Sequence, residues 1–334
     1  MRTPRQFEAV DPTMIQCPNP FAIGLYGYTG TGKTESAFRL ATGIQRVYGG
    51  GIFFADTDGG RGPHYRNTFP HRYIDFRPPH NALDFADLLS SHIGKRGVLI
   101  IDQMTEEHEG EGGLIDTHEE KKGGNDKKTA SAWAFAKAQH KILARTLRAA
   151  VASLPVIICW RAQEKLDWNH KNDRGQTEPK ALGEMPIGSM DLPFEMTATY
   201  LLPIGSRGTP CLDPMERGEK LMTKIPRQFA DIVRKGETFT ADHGEAMARW
   251  AMGSAASAAY SELRAAIDRA TSGPDLDALA PALKDASKRK TVTPAEWRQL
   301  TEAGSARRAA LAQRPPSHPP AGVSPGTRQP GEDA

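Results

Sequence analysis

The stretch Phe21–Thr34, FAIGLYGYTGTGKT, runs from an apolar segment into a glycine-rich turn that closes on a lysine and a threonine. Phe21 to Tyr26 has the length and side chains of a short buried strand, and Lys33 to Tyr48 has helix-compatible spacing, so the turn joins a strand to a helix. Gly27, Tyr28, Thr29, Gly30, Thr31, Gly32, Lys33 and Thr34 match the pattern GxxxxGK[ST] at every fixed position. Such glycines let the backbone wrap until its N–H groups point inward at phosphate oxygens, and the helix start adds its positive dipole end. Lys33 is expected to reach the β and γ phosphates of a nucleotide, and the Thr34 hydroxyl to ligate Mg²⁺.

Working outward, Gly51 to Ala55 (GIFFA) reads as a second strand that runs into the acidic turn Asp56-Thr57-Asp58-Gly59-Gly60. Asn81 to Ile93 has helical spacing, and Gly97 to Ile101 (GVLII) is a third strand ending at Asp102. Asp102 directly follows four apolar residues, the placement of a carboxylate that holds Mg²⁺ at the carboxyl end of a strand. Ala130 to Ser153 is helix-like, Leu154 to Trp160 is a further buried strand, and Met196 to Pro203 and Lys220 to Ile225 are predicted to add later ones. Strands alternating with helices predict an α/β fold with a mainly parallel sheet covered on both faces.

Thr105 to Lys128 has five glycines, many charges and almost no large apolar residue, and is expected to be a mobile excursion without a packed core. Arg161, Gln163 and Lys165 open a polar segment, Arg161 to Thr177, and are candidates to sense a γ-phosphate. From Asp242 onward Ala, Arg and Leu recur at helical spacing, and Pro315 to Ala334 carries six prolines and three glycines without apolar periodicity. The predicted division is an N-terminal extension at 1–18, the α/β domain at 19–253, a small helical module at 254–314 and a disordered tail at 315–334.

In a chain of 334 residues the net charge is only +3, so any contact with nucleic acid must come from local basic patches. Cys17, Cys159 and Cys211 are too widely spaced for a zinc site or a disulfide framework, which points to a cytoplasmic protein. The sequence lacks an apolar run near the roughly 18 residues that span a bilayer, and MRTPRQFEAVDP lacks the apolar core of a signal peptide, so no membrane partner is expected.

The order of these elements, a GxxxxGKT loop, a strand ending Asp-Thr-Asp-Gly, then VLIID, then a strand running into a polar loop, resembles the RecA-like P-loop ATPases. WRAQEK, EMPIGSMDLPFEMTATYLLP and AMARWAMG make it similar, across residues 20 to 253, to phage- or prophage-encoded ATP-binding proteins of the AAA family, some linked to recombination or single-strand annealing. ARRAALA near the end is similar to helical segments appended to phage recombination proteins. The resemblance implies a RecA-like P-loop NTPase fold, ATP and Mg²⁺ as ligands, and a homo-oligomeric ring or filament, in the bacterial host cytoplasm if phage-encoded. It also implies that Asp58, at the place of the family's glutamate, activates the attacking water. From the residues alone Glu106 or Glu107, just past Asp102, competes for that role.

Two functions follow as expectations, with nucleotide bound at an edge of the sheet in either. One is a DNA-dependent ATPase, because basic clusters at Lys121-Lys122, Lys127-Lys128, Lys165 to Arg174 and Lys288-Arg289-Lys290 include Trp168 and His170 among cations, a composition suited to single-stranded DNA. The other is a nucleotide-dependent switch in which the 105–128 loop recruits a phage replication or recombination protein. A small-molecule kinase is disfavoured, because no Arg-rich lid follows the phosphate loop.

Overall fold

The computed structural model describes residues 20–189, 191–212, 223–252, 258–288, 292 and 294–312. Strand β1 (Ala22–Gly27) leads through the glycine-rich turn into α1 (Lys33–Tyr48), followed by β2 (Gly51–Asp56), β3 (Arg72–Asp75), α2 (Ala82–Ser90) and β4 (Gly97–Asp102). Then come α3 (Glu106–Glu109), α4 (Leu114–Lys122), α5 (Thr129–Val151), β5 (Val156–Asp167), β6 (Lys180–Pro186), α6 (Asp191–Glu195) and β7 (Ala198–Leu201). Helices α7 (Arg227–Ile232) and α8 (Ala241–Ala251) complete the first of two compact units, which spans residues 1–255.

The strands form a seven-stranded sheet in the order β3-β2-β4-β5-β1-β7, parallel throughout, with β6 antiparallel to the outer half of β5. Along β1, Ile23 and Leu25 enter one apolar cluster with Phe38 and Leu40 of α1 and Met247 of α8, while Ala22 and Tyr26 enter another with Phe85 of α2 and Leu143 and Leu147 of α5. The two-residue strand period thus feeds a core on each face, which is why these strands read as unbroken apolar runs. This is an α/β P-loop NTPase-like fold.

Three local expectations change. The 105–128 segment is folded, because α3, α4 and a short 3₁₀ turn at Asp126–Lys128 bury Glu107, Leu114 and His118; one leucine and one histidine anchor a segment too glycine-rich to read as helical. The polar segment after Trp160 does not begin a loop: β5 continues to Asp167, and its hydrogen-bonding edge is satisfied by β6 rather than by the core. The expected strand at 220–225 falls partly outside the described residues, and within them Lys224 makes an isolated antiparallel bridge with Thr199. Expectations for residues 1–18 and for the tail at 315–334 lie outside the described residues.

The glycine-rich turn sits beyond an interior strand, since β1 lies between β5 and β7, and not at the sheet edge. The second unit, residues 256–334, contains α9 (Ala258–Arg269), α10 (Gly273–Ala278), α11 (Ala280–Lys288) and α12 (Pro294–Ala312) around Tyr260, Ile267, Leu276 and Leu300. Ser272 and Asp275 form a capping box that starts α10.

Helix α1 carries the turn on one end and packs along α8, and their backbones meet at Gly43, where an added Cβ would lie 1.7 Å from the carbonyl oxygen of Ala241. Neither helix backbone is a flexible neighbour, so Gly43→Ala must push α8 away. We predict a loss of about 1–3 kcal/mol or more in urea unfolding; an unchanged midpoint would contradict so close a crossing.

Candidate functional site

The turn after β1 is held from both sides. Thr31 donates its hydroxyl to the Tyr28 carbonyl at 2.9 Å and accepts at its own carbonyl from the Gly208 N–H at 2.8 Å. Gly32, with φ near 91°, takes the left-handed conformation at the helix start, and a Cβ there would lie 2.7 Å from the Gly208 nitrogen. Behind the turn, therefore, backbone packs on backbone, and its open side faces a cleft of about 320 Å³ lined by Lys33, Thr34, Asp58, Arg61, Tyr65 and Asp102 among others.

Lys33 is nearly buried, and its Nζ donates to the carbonyls of Gly27 at 3.0 Å and Tyr28 at 2.9 Å. Burial pushes its ammonium below the ordinary lysine value, and the Asp102 carboxylate acts against that shift. Thr34 Oγ1 donates to Asp102 Oδ2 at 2.7 Å, joining the helix start to the end of β4. Burial raises the Asp102 carboxyl above its ordinary value, with the Thr34 bond and the Lys33 charge pulling it down. Its second oxygen, Oδ1, is buried without a hydrogen-bond partner. An orphaned buried carboxylate oxygen beside a hydroxyl is a donor set suited to a hard divalent cation, and the residues present fit Mg²⁺.

The neighbouring loops are stitched to this core. Asp56 ends β2 buried, accepting from the N–H groups of Asp58 at 2.9 Å and Gly62 at 2.8 Å, so its carboxylate shapes the turn that presents Asp58. Thr57 ties that turn to the end of β4: its N–H donates to the Asp102 carbonyl at 2.8 Å, and its hydroxyl donates to the Gln103 carbonyl and accepts from the Gln103 N–H. Thr105 does the same for β5, accepting the Arg161 N–H at its hydroxyl at 2.8 Å.

Arg161 is the hub on the far side. Its guanidinium contacts Asp58 at 3.0 Å and Glu106 at 3.3 Å, while Arg61 holds the other oxygen of Asp58 at 2.9 Å. The structure thus brings two sequence-derived candidates, Asp58 and Glu106, onto a third, the Arg161 cation. It separates Glu107, which is 1 % exposed at its side chain and paired with His140 at 2.9 Å. Gln163 and Lys165 are exposed along the hairpin of β5 and β6. That hairpin carries Trp168, 65 % exposed, with Lys171 and Arg174 also exposed beyond it. Glu164, Asp167, Asp173 and Glu178 alternate with these cations, so the aromatic side chain distinguishes the hairpin more than its charge does.

Sequence reading missed Thr57, Arg61, Tyr65 and His80. Arg61 and Tyr65 follow the acidic turn in a short segment without strand or helix periodicity; Tyr65 sits in a 3₁₀ turn, and burial first, then the Asp102 charge, raises its phenol above the ordinary value. Thr57 was visible as the middle of Asp-Thr-Asp, but nothing local shows that its hydroxyl reaches Gln103. Among the described residues no cluster of three or more His, Cys, Asp or Glu side chains could hold a metal ion, so any cation here relies on Thr34, Asp102 and the nucleotide itself. Nor is any helix among them long and apolar enough to cross a membrane.

A family model described as an AAA domain matches residues 19–187, a span that covers the turn, Asp58, Asp102, Arg161 and both strands of the hairpin. No curated protein matches the chain.

The buried Glu107–His140 pair pins α3 to α5. Burial alone would lower the His140 pKa, but the bond to Glu107 and the charges of Glu107 and Asp191 together leave it raised. A histidine raised in the folded state contributes stability in full below its unfolded value of about 6.5 and loses it as pH rises through the folded value. Glu107→Gln should therefore cost about 3 kcal/mol on the acid side and less on the alkaline side. Urea unfolding of both proteins at about pH 6 and about pH 8 checks this, and a cost that grows with pH contradicts it.

Proposed function

The chain belongs to the AAA domain family, and on that premise we propose that it binds ATP with Mg²⁺ in the turn after β1, hydrolyses it, and acts on single-stranded DNA in phage recombination or annealing. The observation that carries the ATPase reading is the 2.7 Å bond from Thr34 to Asp102, with the orphaned Asp102 oxygen beside it. Backbone N–H groups of Gly30 to Thr34 and the Lys33 ammonium hold the β and γ phosphates. Thr34 and Asp102 hold Mg²⁺, which when bound neutralises charge on the phosphates and orients them.

Asp58 orients the attacking water, and Arg161 faces the outer phosphate. Arg161 holds Asp58 and Glu106 together, and a γ-phosphate competes for the same guanidinium, while Asp58 keeps its contact with Arg61. RecA-like sites are completed between subunits by resemblance, and a ring or filament is the form we expect.

DNA enters through the hairpin. Trp168 offers a stacking face and Lys165, Lys171 and Arg174 offer phosphate contacts, the combination that grips single strands without reading their sequence. The hairpin also touches the phosphate turn, since the Glu164 N–H donates to the Tyr28 hydroxyl at 3.1 Å. That contact gives DNA a short route to the site where ATP is cleaved. The rival reading, a switch that recruits a protein through a nucleotide-ordered 105–128 loop, loses its starting observation because that segment is already helical and packed.

Lys33→Ala is expected to abolish ATP binding or turnover, and full activity in that variant would remove the site. Asp58→Asn should leave nucleotide binding intact while lowering turnover by about 10²–10⁴-fold; if Glu106→Gln produces that loss instead, the water belongs to Glu106. Single-stranded DNA should stimulate hydrolysis in the parent protein, and Trp168→Ala should weaken DNA binding by about 1–3 kcal/mol in a salt-titrated anisotropy assay. Absence of both DNA binding and stimulation would leave the ATPase without a DNA role.

A further inference from the structure

Against Glu106, the second carboxylate on Arg161, lies a histidine that the proposed hydrolysis does not use. His80 follows β3 and is 3 % exposed at its side chain. Its Nε2 lies 3.1 Å from the Phe76 carbonyl, to which it must donate, because a carbonyl oxygen only accepts. The other ring nitrogen, Nδ1, is buried without a hydrogen-bond partner and lies 4.0 Å from Glu106 Oε2. With the Nε2 proton fixed by Phe76, a neutral His80 presents a lone pair to a carboxylate, and two acceptors cannot bond. One proton between them would close the gap.

The same helix shows the closed form of such a pair. Glu107, the next residue of α3, meets the buried His140 Nδ1 at 2.9 Å. The difference between the two pairs is the third partner: Glu106 also contacts the Arg161 guanidinium at 3.3 Å. A carboxylate with one cation beside it has little need of a second; deprived of it, a largely buried carboxylate gains most from a protonated neighbour.

We propose that His80 is a positioning residue for Glu106: when a γ-phosphate draws Arg161 away, His80 takes one proton from solvent on Nδ1 and closes on Glu106, holding that carboxylate back from Arg161. The inference rests on the proposal that phosphate binds beside Arg161. Glu106 then stops competing with the phosphate for the guanidinium, and the site is kept in its nucleotide-bound arrangement. Nucleotide binding and the uptake of a proton become one linked event.

The other charged and titratable groups around the pair leave it this freedom. Asp58, from the turn after β2, is held by Arg61 as well as Arg161. Asp84 of α2 is turned to Asn81, and Glu107 and His140 are engaged with each other. Glu111 is exposed and offers His80 only its backbone carbonyl, at 2.8 Å from the His80 N–H. The rings of Phe76 and Phe85 cover the imidazole on its remaining sides.

Titration calorimetry of the full chain with Mg²⁺ and a non-hydrolysable ATP analogue, repeated in buffers of different ionisation enthalpy, reads the protons taken up on binding. His80→Gln keeps an Nε2 donor for Phe76 and removes the titratable nitrogen; Glu106→Gln leaves His80 in place and removes its partner. The parent protein should take up more protons than either variant, by up to about one, and its affinity should rise more steeply as pH falls. Analogue binding with equal uptake in the parent and in both variants overturns the role of His80 while leaving the nucleotide site standing. Failure of the parent to bind the analogue instead removes the nucleotide site, and this inference with it. Should His80→Gln fold poorly, Glu106→Gln alone decides between the outcomes.

Discussion

All strands of the main sheet run the same way, so the carboxyl ends of β1, β2, β4 and β5 emerge on one side, and every functional group of the site is a consequence of that constraint. Parallel strands cannot share a tight turn; each must return through a crossover, for most strands here a helix, and the helix starts and strand ends accumulate at the same edge of the layer. Thr34 and Asp102 are neighbours for this reason, although β5 stands between their strands in the sheet. The loops are then held in register by two threonines, Thr57 and Thr105, whose hydroxyls bond across from one strand end to the next. A hydroxyl suits this work because it donates and accepts at once, as Thr57 does with the two ends of Gln103.

The parts legible in the sequence share one property: they depend on residues close together in the chain. The phosphate turn is eight consecutive residues with fixed glycines, and the central strands are apolar on both faces, so short windows are enough to find them. β3 was not legible because it is an edge strand of four residues, Arg-Tyr-Ile-Asp, with exposed positions at both ends. β6 was hidden by Gly183 and Pro186, which a central strand would exclude but an antiparallel partner on an extension of β5 accepts. The helices between 105 and 128 were hidden differently: their glycines sit in the connections, and buried Leu114 and His118 suffice to anchor them. What no window shows is pairing at a distance. Asp58, Glu106 and Arg161 could each be singled out, but that one guanidinium serves both carboxylates is a statement about three loops. Likewise His80 is an unremarked residue after two prolines until its orphaned nitrogen is seen facing Glu106.

Charge inside the site is arranged so that few groups are satisfied twice. Asp102 has one bonded and one orphaned oxygen; Lys33 spends its donors on the carbonyls of its own turn; Arg161 is divided between two carboxylates. Such an arrangement is poorer in hydrogen bonds than a buried polar cluster of the same size could be, and the deficit has a sign. The unmet oxygen of Asp102 asks for a cation, and the Lys33 charge beside it favours an anion, which together describe a metal-bound polyanion.

The hairpin of β5 and β6 extends this logic beyond the cleft. β5 is one continuous strand of twelve residues, with its inner half buried between β1 and β4 and its outer half exposed beside β6. Arg161 stands at the junction of the two halves, and its own carbonyl accepts from the Ile187 N–H just beyond β6 at 2.8 Å. The exposed half of β5 leads into Trp168, and within it the Glu164 N–H bonds Tyr28 of the phosphate turn. The guanidinium that sits between Asp58 and Glu106 is therefore attached to an element that reaches both the buried sheet and the exposed hairpin.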